Sequence, residues 1–356
     1  MKPTDLRTPT HGPTPYDELN GVLEEIVTMA RRVLADNFVG AYLQGSFAFG
    51  AGDLASDCDF LVVTRAPVTA NQELELRAFN DQLPTREGFW NRHIEGSYAP
   101  MDELKTLGGL GHDLLYIDHG WREMQWHQHC NTAVVRWILH RHGIALAGPP
   151  AKEVVNALPQ GVLRATMREQ IPVFSSDLLD WITDIAWDQR YAAESLCRMW
   201  FTFETDEVAL KADSIHWAIG RLDARWHPLL QNTLDDRLLG FDSKQKPAQQ
   251  FVEDTLDLAD LISAVVLADR SGMVKTESPG SPKRNRDLRT SSDSTYVHTP
   301  SWRGNCVDGT TRSDLLSIFP NKGPCTPSLH TRLHTPITAF SLLSSWPEIC
   351  RVMAPT

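Results

Sequence analysis

Two carboxylates two residues apart, Asp57 and Asp59, lead into the apolar run Phe60-Leu61-Val62-Val63. Side chains on a strand alternate with a period of two, so this pair points to one face. Like charges on one face repel unless a cation lies between them. A divalent ion such as Mg²⁺ meets that demand, because it takes oxygen ligands and is commonly shared with substrate phosphates. Upstream, Gly45-Ser46 follows a short apolar stretch and opens a small-residue loop through Gly50 and Gly52. Such a turn offers backbone N–H groups and a hydroxyl to the same phosphates. The order and spacing favour metal-assisted phosphate chemistry over a solvated acidic hairpin.

Gly-Ser, a spacer holding a further glycine (Gly50), and then Asp-x-Asp on the following strand resembles the pattern of the nucleotidyltransferase superfamily, which includes DNA polymerase β and the antibiotic nucleotidyltransferases. Further along, the stretch from Trp187 to Phe201, continuing through Thr205-Asp206-Glu207 to Lys211, looks like the C-terminal helical domain of streptomycin/spectinomycin-type aminoglycoside adenylyltransferases. Asp206 stands where that family usually has glycine, a departure that bears on the turn there. The resemblance covers roughly residues 38–268 and is weakest between residues 100 and 150.

The resemblance implies an enzyme that moves AMP from ATP, with Mg²⁺, to a hydroxyl of an aminoglycoside-like acceptor and releases pyrophosphate. It implies that Asp57 and Asp59 hold metal and that Gly45 and Ser46 hold phosphates. Glu95, near the end of the predicted strand Arg92 to Tyr98, is the candidate third ligand or general base. Arg198 and Lys211 match positions that contact the nucleotide phosphates, as cations suited to an anionic triphosphate. Asp184 and Asp188, one helical turn apart, match acidic positions that face the acceptor. Alternatives are a nucleotidyltransferase acting on a protein hydroxyl or another metabolite, and a non-catalytic relative that binds nucleotide.

The whole chain carries 34 Lys and Arg against 45 Asp and Glu. Residues 271–356 hold 10 basic and 6 acidic residues, which leaves 24 basic and 39 acidic in residues 1–270. A body that acidic disfavours nucleic acid, whose binding depends on neutralising phosphates; it suits a cationic small molecule. The six cysteines lack CxxC spacing, so neither structural zinc nor a disulfide framework is expected, and a reducing cytoplasm fits. With no apolar run of spanning length, membrane insertion is not expected. A monomer is expected.

The elements that must position these residues follow from periodicity. Helical spacing covers residues 16–37, about 69–83, Asn131 to His142 and 249–268; strands are predicted over Ala41 to Gln44, Asp59 to Thr64 and Arg92 to Tyr98. Ile182, Ile185, Leu196, Trp200 and Phe203 suit one helix face. The predicted fold class is α+β. A flexible start (1–15) precedes a small mixed-sheet domain (16–150), an α-helical bundle (151–270) and a disordered Ser/Thr/Pro-rich tail (271–356) with a short helix near Phe340 to Cys350. His112, His119, His127, His129, His140 and His142 show no metal spacing with carboxylate support and are read as surface or core histidines. The tryptophans, Trp187 among them, are read as core.

Overall fold

The computed structural model describes residues 12–269. The expected tail, its short helix and most of the flexible start lie outside the described residues. Helix α1 (Asp17–Leu34) buries Leu19, Val22, Leu23, Ile26, Met29, Val33 and Leu34 on one face, as the spacing requires. Six strands follow: β1 (Phe38–Leu43), β2 (Cys58–Thr64), β3 (Ile94–Pro100), β4 (Leu114–Ile117), β5 (Gln125–His127) and β6 (Ile144–Ala147). They form one mixed sheet in the order β5-β4-β3-β2-β1-β6. β2 and β3 pair in parallel, and the other neighbours pair antiparallel.

A parallel pair needs a long crossover. Helix α3 (Ala70–Gln82) provides it, and a capping box starts it: Gln72 N–H donates to Thr69 Oγ1 (3.3 Å), and Thr69 N–H donates to Gln72 Oε1 (3.0 Å). The sheet is covered on both faces, which explains why β2 reads as an unbroken apolar run. Ala41, Leu43, Phe60 and Val62 pack toward α1, while Tyr42, Leu61, Val63 and Ala99 pack into a second cluster with Leu139 and Val154. These last two come from α5 (Ala133–His142) and α6 (Ala151–Val154). Two short helices complete this half, α2 (Gly45–Ala48) and α4 (Met101–Lys105).

Five longer helices follow: α7 (Val162–Asp177), α8 (Ala186–Thr205), α9 (Lys211–Ile219), α10 (His227–Asp235) and α11 (Gln249–Ala268). Helix α8 is their hub, packed on α7, α9, α10 and α11. Their own apolar core holds Ile171, Leu196, Phe203, Ile215, Leu229 and Ile262. The predicted helix face containing Ile182 and Ile185 is corrected here: α8 begins at Ala186, and Ile182 is buried in the turn ahead of it. Among the described residues, no helix is long and apolar enough to cross a membrane.

Asp206 explains its own departure from glycine. It ends α8 in the left-handed conformation (φ 57°, ψ 28°), which Asp tolerates better than most residues. Its carboxylate accepts from the N–H groups of Gly161 (2.6 Å) and Arg164 (3.0 Å) at the start of α7. Those N–H groups have no partner within their own helix, and a carboxylate there also complements the helix dipole.

Candidate active site

Parallel register builds the acidic cluster. Asp59 on β2 pairs with Glu95 on β3, so the two side chains leave the same face. Asp57, two residues before Asp59, joins them just ahead of the strand. Glu95 is buried and Asp59 is half-buried, so the cluster carries high electrostatic cost without a counter-cation. Burial, then Asp57 and Glu95, push the Asp59 carboxyl well above the usual range; Lys211 and Arg198 oppose this. Burial also raises the Glu95 carboxyl, against the pull of His129, whose Nε2 lies 3.2 Å from Glu95 Oε1.

Gly45 lies against this cluster. It has φ +59°, and a Cβ there would collide with the Asp59 carboxylate. The Ser46 hydroxyl is buried without a hydrogen-bond partner, as expected of a group awaiting a ligand oxygen. Gly45, Ser46, Asp57, Asp59, Glu95, Arg198 and Lys211 all line one cavity of about 390 Å³. A second cavity of about 310 Å³ shares Ser56, Asp57, His119, Trp187, Tyr191, Lys211 and Arg237 with it. The two form a continuous cleft between the sheet and the helices. Arg237 crosses its rim to Asp53, Nη1 to Oδ2 at 2.9 Å.

The structure does not bring Asp184 or Asp188 to the lining of this cleft. Asp184 is exposed and pairs with Lys246 at 3.3 Å, and Asp188 is buried on α8. The carboxylates lining the second cavity are Asp57, Asp118 and Glu194, and Glu194 lies 3.4 Å from Lys211.

Two expectations are corrected. His119 and His129 do have carboxylate support. The donor atoms of His119, Asp57 and Glu95 lie within 4.8 Å of one another, a grouping that fits a divalent cation. Sequence spacing hides this, because His119 follows β4 whereas Asp57 precedes β2. Trp187 is not core either. It is half-buried, stacks on Tyr191 (centroids 5.3 Å apart, planes 10° apart) and lines the cleft.

The aminoglycoside adenylyltransferase C-terminal domain family matches residues 153–259, which contain α8 and α9. The chain resembles the aminoglycoside adenylyltransferases. It is 24% identical over 245 residues to a spectinomycin 9-adenylyltransferase of Campylobacter jejuni, covering 65% of this chain and 92% of that one. It is 26% identical over 236 residues to an aminoglycoside (3'')(9) adenylyltransferase of Rhizobium radiobacter, covering 60% and 81%. A spectinomycin adenyltransferase from Enterococcus faecialis, solved with ATP and spectinomycin, has the same fold: TM-score 0.51, 16% identity, 69% of this chain and 98% of that one. The enzyme class follows from this likeness, a transferase of adenylyl groups.

Proposed function

We propose that this protein transfers AMP from ATP to a hydroxyl of an aminoglycoside-like acceptor and releases pyrophosphate, using Mg²⁺ or a similar divalent cation. The observation that carries the reading is the convergence of three carboxylates and two cationic side chains on one cleft, from opposite halves of the molecule. Asp57, Asp59 and Glu95 would hold the cation, which when bound neutralises phosphate charge and eases departure of pyrophosphate.

The chain's own groups do the rest. Gly45 and Ser46 cradle the phosphates, and Arg198 and Lys211 reach them from α8 and the start of α9. The acceptor oxygen bonds to the α-phosphorus as the α–β phosphoanhydride bond breaks. Its proton passes to Glu95, a carboxylate with His129 beside it, in the role of general base. Glu194 and the Trp187–Tyr191 stack offer negative charge and a flat apolar face to a cationic sugar. The free, buried cysteines Cys58, Cys130 and Cys197 support a reducing cytoplasmic setting.

The test is labelled ATP with spectinomycin, streptomycin and other aminoglycosides, reading AMP transfer and pyrophosphate release. Wild type should adenylylate at least one of them. Asp57→Asn should lose more than about a hundredfold in rate, beyond what outer-shell losses usually cost, with an unchanged circular dichroism spectrum. ATP binding without transfer to any acceptor would sink the catalytic reading.

A further inference from the structure

Asp118 and His119 follow β4 and bring a nitrogen donor to the carboxylate cluster. The donor atoms of His119, Asp57 and Glu95 already lie within 4.8 Å of one another. Ligands about 2.1 Å from a common ion stand about 3 to 4 Å apart, so a small contraction would close the set. A neighbouring carboxylate fixes the ring. His119 Nδ1 lies 3.5 Å from Asp118 Oδ1, and the His119 backbone N–H donates to that same oxygen at 2.8 Å. His93 stacks over the ring, centroids 6.2 Å apart and planes 26° apart. Asp118 is 5% exposed, so its geometry is held by packing. With Nδ1 turned to Asp118, Nε2 is the nitrogen left to face the cleft. A carboxylate that orients one imidazole nitrogen while the other meets the ion is a recurring arrangement at metal centres.

We propose that His119 is a metal ligand oriented by Asp118, so that this cleft takes a borderline divalent cation such as Mn²⁺ through a nitrogen donor as well as oxygens. The proposal rests on the reading that Asp57 and Glu95 hold a divalent ion. Imidazole strengthens binding of later first-row metals more than that of Mg²⁺, which favours oxygen. The site would therefore discriminate between the two ions in a way an all-carboxylate site would not.

The experiment is pulsed EPR on the full-length protein loaded with Mn²⁺ and inorganic tripolyphosphate, a phosphate ligand that contains no nitrogen. Wild type should show ¹⁴N coupling to Mn²⁺, and His119→Gln should abolish it. Asp118→Asn should weaken Mn²⁺ binding by about 10- to 100-fold, the usual effect of losing such a partner. Circular dichroism checks that each variant folds. Mn²⁺ bound to wild type without ¹⁴N coupling, or coupling that persists in His119→Gln, overturns the assignment and leaves the adenylyl-transfer reading standing. Failure of wild type to bind Mn²⁺ at all overturns both this assignment and the metal role of the carboxylates.

Discussion

At the scale of single residues, the site depends on close approach. Gly45 sits where any Cβ would enter the space of the Asp59 carboxylate, in a backbone region that costs other residues about 1–2 kcal/mol. Gly45→Ala should therefore keep its fold and lose most of its transfer activity, because Asp59 must move. A steady-state rate beside a thermal melt checks this, and an active Gly45→Ala enzyme would count against the placement of Asp59. Asp57, Asp59, Gly45 and Ser46 were readable because they lie within fifteen residues of sequence, where strand period and a glycine turn fix their relation. Glu95 was readable only through its predicted strand. His119, His129 and Glu194 were not, because sheet pairing and helix packing join them to the cluster across long sequence separations.

At the scale of elements, Asp206 links the end of α8 to the beginning of α7. Asp206→Ala loses the cap and the short polar side chain that eases left-handed backbone, so it should cost about 2 kcal/mol. Asp206→Gly loses the cap but relieves the backbone, so it should cost less. Denaturant midpoints of the two variants would test the order; equal losses would argue against a backbone contribution, and an Asp206→Gly variant as stable as wild type would argue against a capping role. Helical spacing made α1, α3 and α11 legible to within a few residues. The strands β4, β5 and β6 were not predicted, since each has three or four residues and no sustained alternation. The start of α8 was misread because Ile182 is buried like a helical core residue although it lies in the preceding turn.

At the scale of the whole molecule, the ion pair between Asp53 and Arg237 joins the sheet half to the helical half across the cleft rim. Burial alone would raise the Asp53 carboxyl. The Arg237 hydrogen bond and charge, with the Ala55 N–H and Ser56 hydroxyl, lower it overall. A carboxyl lowered by folding contributes stability above its unfolded value, about 3.9, and loses it as pH falls through the lower folded value. Asp53→Asn should thus melt below wild type at pH 7, and the gap should close below the usual carboxylate range. Melting curves from pH 7 to pH 2 would show it, and a gap independent of pH would rule out the ion pair as its source.

The pairing of Asp59 with Glu95 carries one more consequence. Their alignment is set by the backbone ladder, not by side-chain contacts that can readjust, so neither can slide without the whole strand. Adding or deleting one amino acid within either strand would turn its acid toward the opposite side of the sheet and part the two. Point changes around the cleft leave that alignment intact, whereas length changes in these two strands would extinguish the proposed chemistry in a single step.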